Sequence, residues 1–148
     1  MKNYSLIFML FLTTHLFAQG NMKVAEMHNQ KWEFIVKKAN ISDQQAEKLK
    51  PAFLEYEAGV WKLMETQRSD YHKFRENSSS KVGADYEKLN EQYVIVEVQK
   101  ARLLENYYFR LKKQLPAEII FNYFSAERSF RKELIKNWEE KGSTNRRK

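Results

Sequence analysis

The sequence predicts an all-α protein of four helices, two of them long, and three observations carry that reading. With only 4 Gly and 2 Pro in 148 residues, the chain lacks the turn residues that a sandwich, barrel or βαβ fold consumes. Its apolar residues recur at steps of three and four over long stretches, the period of a helix face. One small polar run, Asn77-Ser78-Ser79-Ser80-Lys81-Val82-Gly83-Ala84, separates the longest periodic segments and reads as the tip of an antiparallel helical hairpin. A chain of this size can bury one core and hardly two, so residues 21–141 are expected to form a single domain.

The first helix is expected from Met22 to Asn40, because Trp32, Ile35, Val36 and Ala39 share one face and Glu33 and Lys37 pair on another. Ile41-Ser42-Asp43-Gln44-Gln45 then offers Ser42 as N-cap, Asp43 as an acid in the first turn and Gln45 to reach back, which is a capping box. The helix it starts carries Ala46, Leu49, Phe53, Tyr56, Val60 and Leu63 on one stripe, and Tyr71 and Phe74 extend it toward Asn77. At about 1.5 Å per residue this is an arm of about 50 Å, and Pro51 within it is expected to bend it. The return arm places Tyr86, Leu89, Tyr93, Val96, Leu103 and Tyr107 on a heptad stripe, with Lys100 breaking the seam. Leu115-Pro116-Ala117-Glu118 closes that arm and opens the last helix with Pro116 at its first position. Ile120, Tyr123, Phe130, Leu134 and Trp138 form the expected buried stripe of that helix. Gly142 is expected to end it, leaving residues 142–148 as a disordered basic tail.

Residues 1–20 set the expected compartment. Lys2, the apolar run Leu6 to Leu12 and the small residues around Ala18 have the three-part layout of a secretory signal peptide, with cleavage between residues 18 and 21. The apolar run is too short to cross a bilayer as a helix, and a chain with 0 Cys has no lipid-attachment site, disulfide or cysteine nucleophile. The product is expected to be periplasmic. Its net charge of +7 would otherwise point toward nucleic acid; export redirects it toward acidic protein segments, with weak association with anionic membranes a further possibility.

No phosphate loop or nucleophile elbow occurs, so the sequence does not read as an enzyme and implies no cofactor. Beyond the leader only His28 and His72 remain. Glu26, Met22 and Met27 beside His28 raise a metal-sensing alternative, against which stands a partly covered histidine on a helix edge. His72 reads as a solvated side chain. The aromatics say more. Successive helical residues turn by about 100°, so Tyr107, Tyr108 and Phe109 cannot all enter one narrow seam, and Val60 with Trp61, and Phe121 with Tyr123 and Phe124, raise the same conflict. Trp61, Tyr108, Phe109 and Phe124, interleaved with Lys62, Arg110 and Lys112, are therefore candidates for a surface that holds unfolded or acidic segments, against which stand a dimer interface and an ordinary wide helix face. Two long arms with one seam bury little apolar surface, which favours a homodimer.

The stretch Phe34 to Pro51 resembles the first signature of the Spy/CpxP-like periplasmic proteins, whose hallmark is L-T-x-x-Q. Ile41, Ser42 and Gln45 stand at its Leu, Thr and Gln positions. A second copy, Leu115-Pro116-Ala117-Glu118-Ile119, has Pro for Thr and Ile for Gln. The run from Leu115 to Trp138 is similar to a short branch described as sensors of extracytoplasmic-function (ECF) sigma factors. The resemblance implies a kinked antiparallel hairpin of long helices that dimerises into a shallow cradle. It also implies an ATP-independent chaperone, or a regulator that meets a membrane-bound stress sensor or anti-sigma factor. The His-rich and Met/His metal sites of some relatives are not matched here. A metal sensor and a basic protein of the membrane surface are the alternatives, the latter requiring vesicle binding that high salt abolishes.

Overall fold

The computed structural model describes residues 23–76 and 82–145, with side chains up to residue 137. The expected leader and cleavage site, most of the expected tip, the Trp138 side chain and residues 146–148 lie outside the described residues. Four helices make up the described chain: α1 at residues 23–39, α2 at Asp43–Glu76, α3 at Gly83–Lys112 and α4 at Ala117–Asn145. No strand occurs among the described residues.

Each boundary has a local cause. Asn40 closes α1 in the left-handed region, at φ 56°, which Asn tolerates better than other residues with a Cβ. Two residues on, the Ser42 carbonyl accepts the first α2 bond from the Ala46 N–H at 2.8 Å. Before α3, the Val82 N–H donates to Asp85 Oδ2 at 3.1 Å; valine returns no side-chain acceptor, so one half of a capping box is made. Gly83 and Ala84, assigned to the tip by sequence, are thus already helical. Pro116 sits one position earlier than expected: its carbonyl accepts the Ile120 N–H at 3.1 Å, which makes it the cap of α4 rather than its first residue. At the other end, α4 runs through Gly142 to Asn145 instead of stopping at the glycine. A single glycine inside a helix costs only about 1 kcal/mol, which its neighbours can offset.

The chain divides into two compact units, Met1–Asn40 with Asn122–Lys148, and Ile41–Phe121. In the second unit α2 and α3 lie side by side and run in opposite directions. The order of their pairs shows this: Glu55 bonds Arg110, Tyr56 stacks on Tyr107 with ring centroids 4.8 Å apart, and Phe74 meets Tyr86 edge to face at 5.0 Å. Leu49, Phe53, Tyr107 and Leu111 are buried between them, and Gly59 allows a close approach: a Cβ there would lie 3.1 Å from Leu103 Cδ1. The stripe expected on α3 is only partly inside. Val96 and Tyr107 are buried and Leu89 and Leu103 half-buried, but Tyr86 and Tyr93 are exposed, because one helix covers only a narrow strip of its neighbour. Tyr71 on α2 is exposed for the same reason.

In the first unit α1 buries Trp32, Ile35 and Ala39, and α4 buries Tyr123 and Ala126. Phe34 meets Phe130 at 5.4 Å, and Lys38 sits 5.2 Å from the Phe34 ring centre. Lys31 and Glu127 form an ion pair at 3.0 Å with both side chains largely covered. His28, expected on a helix edge, is buried, one turn before Trp32 on the covered face of α1. Val36, Phe130 and Leu134 are half-buried.

Candidate functional site

The seam between α2 and α3 is narrow, so it leaves apolar side chains outside it in ordered rows. On α2 the row Trp61, Met64, Arg68, Tyr71 and Arg75 advances by alternate steps of three and four residues, which keeps it on one flank of the helix. Trp61 is half-buried, Met64 and Tyr71 are exposed, and the two arginines stand among them. Arg68 is held by Glu65 at 3.0 Å. On α3, Tyr86, Tyr93, Leu104 and Tyr108 are separated by whole helical turns and are all exposed. The rows meet: Tyr71 and Tyr93 line one cavity of about 220 Å³ with Leu89, Val96 and Gln67. The Gln67 Nε2 is buried there with no hydrogen-bond partner among the described residues. A flank of this kind offers aromatic faces, methyl groups, cations and one unused donor, a mixture suited to loose contact with an apolar or acidic chain.

The candidate residues from sequence fall in several places. Trp61 and Tyr108 belong to this flank. Phe109 touches Tyr108, with ring centroids 5.7 Å apart, yet a turn of about 100° directs it to the outer edge of α3, away from α2. Lys62 is exposed on a different face of α2 from Trp61. Arg110 reaches across to Glu55, with Nη2 at 3.3 Å from Oε1, so it ties the two helices together. That hydrogen bond first, and the attraction of the carboxylate second, raise the Arg110 pKa above its ordinary value. Lys112 is exposed in the last turn of α3. Phe124 lies in the other unit, half-buried, its ring edge to face with Tyr123 at 5.4 Å. Met64, Arg68, Tyr71, Arg75, Tyr86, Tyr93 and Leu104 were missed as surface residues; the three- and four-residue steps through Arg68 and Arg75 were the signal that could have found the α2 row.

The two segments at residues 41–45 and 115–119 come together. The Ser42 N–H donates to Gln45 Oε1 at 3.2 Å, the Ser42 hydroxyl donates to the same oxygen at 2.9 Å, and the Gln45 N–H donates to Ser42 Oγ at 3.4 Å. Gln45 Nε2 donates in turn to the Gln114 carbonyl at 3.5 Å, just before Leu115 and Pro116. Ile41 and Leu115 are both buried. The glutamine therefore joins the start of α2 to the connection between α3 and α4. Ser42→Ala is expected to cost about 1 kcal/mol, read as a lower urea midpoint, and to leave binding by the folded protein unchanged.

Among the described residues no group of three His, Asp or Glu side chains comes together to hold a metal, and no helix is long and apolar enough to cross a membrane. His72 is exposed, its ring 6.4 Å from that of Tyr71. Comparison with known protein families, characterised proteins and solved structures found no match to this chain.

Proposed function

We propose that this chain is a periplasmic binding protein of the envelope stress response, holding unfolded or acidic protein segments without ATP on the flank that runs from Trp61 to Tyr108. The observation that carries the reading is the pair of rows, exposed tyrosines along α3 and half-buried Trp61 with exposed Met64 and Tyr71 interleaved with arginines along α2. The signal-peptide layout of residues 1–20 and the L-T-x-x-Q-like motif at Ile41 to Gln45, with its resemblance to the Spy/CpxP-like proteins, add support from sequence. In this reading α2 and α3 form a hairpin bent at Pro51, and two copies associate into a cradle-like homodimer. No catalytic step and no cofactor enter.

Weak apolar contacts do the holding and the charges speed encounter, so affinity falls with salt without vanishing. Changing Tyr71, Tyr93 and Tyr108 together to Ser is expected to keep helicity by circular dichroism, since all three are exposed, and to abolish suppression of aggregation of an unfolding test protein. A variant that protects as well as the wild type overturns the holding role. It would leave the second reading, in which the chain reports stress to a membrane-bound sensor or anti-sigma factor, as suggested by the likeness of residues 115–138 to sensors of ECF sigma factors.

A further inference from the structure

We propose that the outer edge of α3, opposite α2, pairs antiparallel with the same edge of a second copy of this chain. The inference rests on the homodimer in the reading above and gives it a surface and a register. That edge carries Glu87, Glu91, Val94, Val98, Arg102, Glu105, Phe109 and Lys112, again at steps of three and four residues. In the single chain Val94, Val98 and Phe109 are 59%, 46% and 50% exposed, and Ile95 beside them is equally open. β-Branched residues in the middle of a helix lose side-chain freedom, and about half of each of these side chains stays open among the described residues.

Charge selects both the occupant and the direction. Acids gather toward the start of the edge, at Glu87 and Glu91, while Lys112 closes its end and Arg102 stands past its middle. A parallel partner would set Glu87, Glu91, Glu105 and Lys112 each against its own copy. An antiparallel partner sets Glu87 against Lys112 and brings Val98 over Ala101 near the two-fold axis, large against small. The same register lays Phe109 of one copy across Asn90 and Glu91 of the other. Those residues line an open groove of about 670 Å³ with Tyr86, Glu87, Val94 and Ile95, so an exposed ring meets an unfilled groove twice in each dimer. The contact borders the tyrosine flank at Tyr86 and Asn90, whereas Tyr71 and Tyr93, which the client test changes, line the other cavity.

The test is sedimentation equilibrium of the purified protein. The wild type is expected to dimerise at tens of micromolar or below. Val98→Glu is expected to weaken the dimer at least about tenfold by burying a charge on the axis. Glu87→Lys and Lys112→Glu, each creating two like-charge contacts per dimer, are each expected to weaken it about threefold to tenfold. The double variant Glu87→Lys with Lys112→Glu restores the dimer, although both helix ends then carry the wrong sign for the macrodipole and melting falls. A monomeric wild type, a Val98→Glu protein that dimerises normally, or a double variant no stronger than the singles overturns the proposal. Client protection by the tyrosine flank is a separate measurement, so either reading can fail without the other.

Discussion

Phe53→Ala is expected to lower stability by about 3–5 kcal/mol, read as a large fall in the urea midpoint. The ring is 0% exposed, between Leu49 one turn earlier and Tyr56 three residues later, where α2 meets Tyr107 and Leu111 of α3. Leu49 and Leu111 beside it are also fully buried, so the truncation leaves a cavity in a fully covered core. Small proteins are stable by only about 5–15 kcal/mol in all, so this one truncation removes a large share. Tyr71→Ser on the same helix supplies the contrast: 50% exposed, it is expected to move the urea midpoint by an amount equivalent to about 0.5 kcal/mol or less. Equal midpoints for the two variants would mean that the seam does not run through Phe53.

The narrow strip that α2 covers on α3 explains which parts of the molecule could be read from sequence. Local signals were legible. Ser42 and Gln45 make the reciprocal cap that their spacing announces, and the stripe through Leu49 and Phe53 faces inward as its period requires. Width was not legible. A heptad stripe lists the residues on one side of a helix but not how much of that side a neighbour covers, so Tyr86 and Tyr93 read as core and lie outside. Direction was half legible: the turn per residue separates Tyr107 from Tyr108 and Phe109, but only the position of α2 tells that Tyr108 joins the Trp61 flank and Phe109 the opposite edge. Gly142 failed as a stop signal because a glycine ends a helix where it takes up the left-handed conformation itself, and no glycine among the described residues does so; Asn40 does, at the end of α1. The burial of His28 was legible in its spacing, since 28, 32, 35 and 39 advance by four, three and four along the stripe of Trp32, Ile35 and Ala39, but its polar side chain read as an edge residue.

Lys31→Met is expected to cost about 2–3 kcal/mol, most of it from Glu127 losing its partner and little from the lost attraction itself. The two side chains are 15% and 13% exposed and meet at 3.0 Å, so water can replace neither fully. The value falls below that of a fully buried pair for a visible reason: Arg131 Nη2 already lies 3.9 Å from Glu127 Oε1, and its side chain is 72% exposed and able to swing closer. Arg131→Ala alone should then change stability by no more than about 1 kcal/mol, as exposed partners do. Combined with Lys31→Met it should cost more than the two single changes together, because the substitute cation has gone. Replacing the pair outright, Lys31→Met with Glu127→Leu, leaves no carboxylate to desolvate and is expected to be neutral or stabilising. Urea midpoints of these variants at low and high salt separate the contributions: the Arg131 coupling should shrink with salt, whereas the cost of stranding Glu127 should persist. If Lys31→Met alone is as stable as the wild type, the carboxylate is hydrated and the first unit is looser around Glu127 than its geometry indicates.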